Sequence, residues 1–151
     1  MAVTHNVYAK YELAQNNGSP TNWADNVTTT IKVALITDSY TPGLNTDEFA
    51  DDVLGVANAN EASGTGYSAG GEALTNRSVV QATNVIKLDG DDFQVTITGQ
   101  LTARYALVYK YTGDLTTSPV IGLVDFGEDR TAENSTFDIV WGANGVLTKT
   151  V

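Results

Sequence analysis

The chain contains no cysteine and a single histidine, His5. The first absence removes disulfides, thiolate metal sites and a cysteine nucleophile together. The second excludes a His-rich metal cluster and leaves any histidine acid/base scheme to one residue near the N-terminus. Positive charge is also scarce: 8 Lys and Arg stand against 18 Asp and Glu, for a formal charge of -10. The averaged field repels phosphate backbones and anionic lipid surfaces, so neither nucleic acid nor membrane is an expected partner. No run approaches the roughly 20 apolar residues that span a bilayer. Met1 to Asn6 lacks a charged segment leading into an apolar one, so the expectation is a soluble product made without a classical signal.

What is present fits one domain over residues 1–151: 42% apolar and 17% charged residues in a chain of this length supply one core, not two. Thr, Val, Gly, Asn and Asp are abundant. β-branched residues suit a pleated, half-buried surface and the others suit turns, so many short strands joined by tight loops are expected.

The spacing of Val7, Tyr11 and Ala14 predicts a short N-terminal helix from Asn6 to Gln15, stopped by Asn16-Asn17-Gly18-Ser19-Pro20. Val27 to Thr37 reads as the first long strand, and its uninterrupted Val33-Ala34-Leu35-Ile36 predicts a strand buried on both faces. Thr46-Asp47-Glu48-Phe49 has the order of a capped helical turn, closed by Asp51 to Leu54. Ser63 to Gly71, with four glycines, reads as a loop in which at least one glycine takes positive φ. Further strands are expected at Glu72 to Gln81, Asn84 to Leu88, Phe93 to Ile97, Ala103 to Tyr111, Val120 to Phe126, Thr136 to Trp141 and Val146 to Val151. Asp89-Gly90 is expected as a hairpin turn. About eight strands without crossover helices predict a mainly β protein: an antiparallel β-sandwich, jelly-roll-like, with a short N-terminal helix and a second short helical turn.

Few residues group as chemistry. Gly64 to Gly71 invites a phosphate-loop reading, but Ala69 stands where a dinucleotide fingerprint needs glycine, and no Gly-Lys-Ser/Thr ending is present. The acids Asp47, Glu48, Asp51 and Asp52, then Asp89, Asp91 and Asp92, then Glu128 and Asp129 offer hard oxygens for calcium without an EF-hand pattern, so solvated turns are the simpler reading. Paired carboxylates for glycoside hydrolysis have no particular support. His5 lacks a Gly-x-Ser-x-Gly elbow to serve. Tyr105, Tyr109, Tyr111 and Trp141 could stack sugars or bases, yet their alternation fits a core or a subunit contact better. No catalytic, cofactor-binding or metal-binding residue is assigned, and no cofactor.

Ordered segments along nearly the whole chain resemble small tailed-bacteriophage virion proteins. In the first half these are Ile31 to Pro42, Phe49 to Val53 and Gly64 to Leu74; in the second, Ala103 to Lys110, Thr117 to Gly122, Val124 to Gly127 and Phe137 to Trp141. The polar Asn16 to Asn22 segment is longer than the turn often found there in that group. The resemblance implies a virion structural protein without enzymatic activity, and head decoration (cement) is the role favoured within it. Such a protein is made in the host cytoplasm and located on the capsid surface. Its partner would be the major capsid protein, and it would form a homo-oligomer, with a trimer expected at three-fold lattice positions. The alternative is a tail- or fibre-associated protein holding a host glycan or receptor; a carbohydrate-active enzyme ranks third.

Overall fold

The computed structural model describes residues 2–151 as an antiparallel β-sandwich. Its centre is a five-stranded sheet containing β1 (Thr4–Val7), β2 (Thr30–Ile36), β3 (Glu72–Ala73), β7 (Gln100–Tyr111) and β8 (Val120–Glu133) in the order β1-β8-β7-β2-β3. A three-stranded sheet, β10-β5-β4, joins β4 (Ser78–Ala82), β5 (Val85–Asp89) and β10 (Leu147–Thr150). A ribbon pairs β6 (Phe93–Thr96) with β9 (Thr136–Ile139). Two short α-helices, α1 (Ala9–Asn16) and α2 (Ala50–Leu54), and two 3-10 turns, Val56–Asn58 and Leu115–Thr117, complete the regular structure. No helix among the described residues is long and apolar enough to cross a membrane.

The apolar run of β2 is where the sequence places it. Val33, Ala34, Leu35 and Ile36 are all 0% exposed, between β7 on one side and β3 on the other. One face of the central sheet is covered by the three-stranded sheet. Leu147 of β10 lies over Gly122 of β8, where an added Cβ would come within 2.6 Å of the leucine methyls. The other face carries Tyr105 and Tyr109 and is covered by the segment after β2: Tyr40 meets Tyr105 edge-on at 5.8 Å, and the Tyr109 hydroxyl reaches Gly70. β7 is therefore buried on both faces from Ala106 to Tyr109, where simple alternation was expected.

Several boundaries differ from expectation, each for a tertiary reason. Asn6 and Val7 belong to β1, because the free edge of β8 offers Leu123 and Gly122 as partners, and the helix starts only at Ala9. Val27 and Thr28 lie in a turn and Thr29 only leads into β2: the Asp25 carboxylate accepts the Val27 and Thr28 N–H groups at 2.9 Å each. The second helical segment is Ala50–Leu54 itself, with Asp52 reaching back to accept from the Glu48 and Phe49 N–H groups. The expected strand Glu72 to Gln81 is broken between β3 and β4, where Asn76 has φ 48°. Asp89-Gly90 is no hairpin turn, since β5 pairs with β4 and β10 while β6 pairs with β9; the chain changes sheets there. The hairpin lies at Thr83-Asn84, with Thr83 at φ 56°. Gly127 marks a bulge rather than a strand end: Glu128 and Asp129 lie in the irregular stretch between Asp125 and Arg130, and β8 then continues from Arg130 to Glu133 opposite Ala103 to Gln100.

Candidate interaction surface

The glycine-rich loop is held from inside. Gly66, Gly70 and Gly71 all have positive φ. The Glu61 carboxylate accepts from the Gly70 N–H at 2.6 Å, from the Tyr67 hydroxyl at 2.8 Å and from the Asn58 amide at 2.9 Å. Tyr67 in turn accepts the Leu35 N–H at 2.9 Å, and Tyr109 donates to the Gly70 carbonyl at 2.5 Å. Burial, reinforced by the Glu61 charge, pushes both tyrosine hydroxyls well above their ordinary pKa. The amide that a phosphate would seek at Gly70 is already taken by an internal carboxylate.

The acidic clusters are dispersed in a similar way. Asp47 accepts the Tyr40 hydroxyl at 2.6 Å, and Asp52 caps α2. Asp91 accepts from Thr75 and Asn76, and Asp92 from the Trp141 N–H. Asp89 pairs with Lys87 at 3.2 Å and Glu128 with Arg130 at 3.1 Å. Among the described residues no three His, Asp or Glu side chains converge as a metal site would require.

His5 lies on exposed β1, not in a helix, and its Nδ1 donates to the Val146 carbonyl at 2.6 Å. It borders an open cleft of about 420 Å³ with Phe126, Arg130, Phe137 and Asp138, and no serine lines that cleft. Trp141 is inside: its indole N–H donates to the Asp91 carbonyl at 2.7 Å. Tyr105 and Tyr109 are buried too; Tyr111 is half-buried, with Lys32 Nζ 4.2 Å from its ring centroid, so the four do not form one exposed stacking platform.

A second lock was not visible in the sequence. Arg77, 7% exposed, donates to four main-chain carbonyls: Nε to Trp23 at 2.9 Å, Nη1 to Leu74 at 2.7 Å, and Nη2 to Thr29 at 2.5 Å and to Asp25. No carboxylate side chain bonds the guanidinium. It binds the 23–29 turn to the segment entering β4, and Asn26 adds a paired contact, accepting the Arg77 N–H at 2.9 Å and donating to its carbonyl at 3.0 Å.

Beyond that lock lies a part of the surface poor in acid. From Ala73 to Leu88 the chain has no carboxylate, and neither does any residue after Asp138. The whole β10-β5-β4 sheet therefore carries one acid, Asp89, paired with Lys87. Its inner face, with Val79, Ile86, Leu88 and Leu147, lines a cleft of about 270 Å³ against Tyr11 and Trp23. Its outer face presents Ser78, Val80, Ala82, Val85, Thr148 and Thr150 around that single ion pair. By contrast, the exposed end of β8 carries Glu128, Asp129 and Glu133. A face with so little charge can bury against another protein at a small desolvation cost. No family model, curated protein or solved structure matches the chain.

Proposed function

We propose that this chain is a bacteriophage virion structural protein of the capsid-decorating kind, which binds the outside of a major capsid lattice as a homo-oligomer and performs no turnover. The observation that carries the reading is the separation of charge: one sheet with a single, paired acid, and acids exposed elsewhere on a molecule of charge -10. The carboxylate-poor sheet β10-β5-β4 faces the lattice and the acid-bearing end of β8 faces solvent. That orientation lets many copies crowd a shell while their carboxylates stay hydrated. The pinned loops add to it, because a surface held by Arg77, Glu61 and Tyr109 loses little conformational freedom on binding. Many copies per particle turn a modest contact into strong net stabilisation of the shell. The tail-associated alternative draws on exposed aromatics and polar loops; of its aromatics, Tyr105, Tyr109 and Trp141 are buried and Tyr111 is half-buried.

Quantitative mass spectrometry of purified virions tests the role. A copy number matching the capsid subunits supports it, and a handful of copies per particle refutes it. Retention on particles across a salt series tests the orientation. Apolar and hydrogen-bonded contacts hold as salt rises, whereas progressive loss means that the acidic end of β8 meets a basic capsid patch.

A further inference from the structure

Strand β4 ends its sheet, and among the described residues no strand lies across it. All five residues are exposed, Val79 and Val80 at 47% and 48%. Because Thr83-Asn84 is a two-residue turn, Ala82 and Val85 must exchange both hydrogen bonds of their pair. Alternation along the ladder then turns the main-chain groups of Val80 and Ser78 towards β5, and those of Val79 and Gln81 outward. Arg77 continues the outward set. Its N–H and C=O are both taken by the Asn26 side-chain amide, which occupies the position that a neighbouring strand would fill. The next two outward positions, Val79 and Gln81, are open.

The usual protections of a sheet edge are missing here. Ser78-Val79-Val80-Gln81-Ala82 has no charge and no proline, and its pairing with β5 has no bulge. Other edges differ. β3 has only two residues; β9 carries Asp138 and β10 carries Lys149. Gly66 of the glycine-rich loop sits against the Thr96 carbonyl of β6, and His5 of β1 is tied to Val146.

We propose that β4 is a self-association strand, pairing antiparallel with β4 of a second copy about a two-fold axis at Val80. In this register Val79 lies opposite Gln81 of the second copy, and the two such pairs exchange four main-chain hydrogen bonds. The two Val80 side chains meet across the axis as a non-hydrogen-bonded pair. Two three-stranded sheets become one of six strands. A second copy is the occupant because the run Ala73 to Leu88 lets two chains of charge -10 approach without carboxylates meeting, and because the open positions complement themselves under a two-fold. The contact is isologous, so it builds a dimer and not the trimer expected from the sequence resemblance. Five residues a side is small for an interface, so assembly is expected at roughly 10 µM to 1 mM. Self-pairing of β4 is independent of the virion role and is tested on the free protein.

The absence of cysteine makes the test direct. Val80→Cys introduces one thiol, and Cα atoms in a non-hydrogen-bonded pair lie about 4.5 Å apart, within disulfide range. Under diamide, Val80→Cys is expected to form a covalent dimer at least about tenfold faster than Val56→Cys, although Val56 is the more exposed position, 92% against 48%. Sedimentation of the unmodified protein should shift from monomer to dimer with concentration. Gln81→Pro should abolish that shift, because it removes an outward N–H without breaking a β4–β5 bond. Equal cross-linking rates for the two thiols, a monomer at every concentration, or a trimer would each overturn the proposal. The cross-linking comparison does not depend on the proline variant folding.

Discussion

Replacing Arg77 with methionine keeps the apolar stem and removes every hydrogen bond of the guanidinium, leaving the carbonyls of Trp23, Asp25, Leu74 and Thr29 without their donor. A bond from a charged donor contributes about 1.5–3 kcal/mol, but burying the guanidinium offsets part of the four-bond total; burial also lowers its pKa, opposed by Asp25. Each buried carbonyl left without a donor costs about 1–3 kcal/mol; with the relief of guanidinium desolvation set against the four, Arg77→Met is expected to cost about 3–5 kcal/mol. Arg77→Lys should recover less than half, since one ammonium at the end of a flexible stem cannot serve four carbonyls spread around a planar fork. Urea unfolding followed by tryptophan fluorescence reads the result, with Trp23 beside the lock as reporter. With m about 2 kcal/mol/M, the midpoint should fall by about 1.5–2.5 M for the methionine variant. A loss below about 1 kcal/mol, or full rescue by lysine, would show that water satisfies these carbonyls and that the 23–29 turn does not depend on Arg77.

The glycine-rich loop should respond unevenly to alanine. At Gly71 an added Cβ would lie 2.0 Å from the Val33 carbonyl of β2, at Gly66 it would lie 2.0 Å from the Thr96 carbonyl, and at Gly70 its nearest neighbour is 3.5 Å away. Gly71→Ala and Gly66→Ala should therefore cost several times the roughly 1–2 kcal/mol expected for Gly70→Ala from its positive φ alone; equal melting temperatures for the three would refute this. Hydrogen bonds from Thr28 and Val27 hold the Asp25 carboxyl down from 3.8 to about 2, so its contribution is present above pH 3.8 and lost as pH falls through about 2. Asp25→Asn should thus be less stable than the parent at pH 7, with the gap narrowing as pH falls from about 3.8 to 2, and an unchanged gap at pH 7 and pH 2 would contradict the assignment. Leu35→Asp places an unpaired charge at a 0% exposed position and should prevent folding, which circular dichroism would report.

The elements legible in the sequence are those whose signal is local and unopposed. Val33 to Ile36 is apolar without a break, and Phe93, Val95 and Ile97 alternate with polar residues and are buried as that alternation demands. The misplaced elements are those in which a distant partner decides. Val7 satisfies a helical period, yet β8 had an edge to fill at Gly122. Asp89-Gly90 is a favoured hairpin pair, but Val146 takes the Leu88 carbonyl and commits β5 to β10, so the chain cannot fold straight back along β6. Thr83-Asn84, a poorer turn by composition, makes the hairpin because the cross-strand pairs of β4 and β5 set the register.

The candidate surface was harder to read, because its signal is a distribution and not a motif. Absence of carboxylate over Ala73 to Leu88 is visible in the sequence, but so is a longer acid-free stretch from Phe93 to Gly113, most of which is the interior strand β7. Only the sheet order separates them: β7 has a strand on each side, while β4 has β5 on one side alone. Nor does composition reveal that Asn26, fifty-one positions before Arg77, takes up one outward-facing pair of main-chain groups. That contact orders the start of β4 without shielding the rest of the strand, so Val79 and Gln81 are held in strand geometry with their hydrogen-bonding groups unpaired. A disordered segment of the same sequence would lose backbone entropy on pairing, of the order of 1–2 kcal/mol per residue. Here the fold meets that cost in advance through Asn26, Arg77 and the β5 ladder. This is the physical basis of the proposed pairing: an uncharged edge strand of only five residues is already ordered for a partner strand.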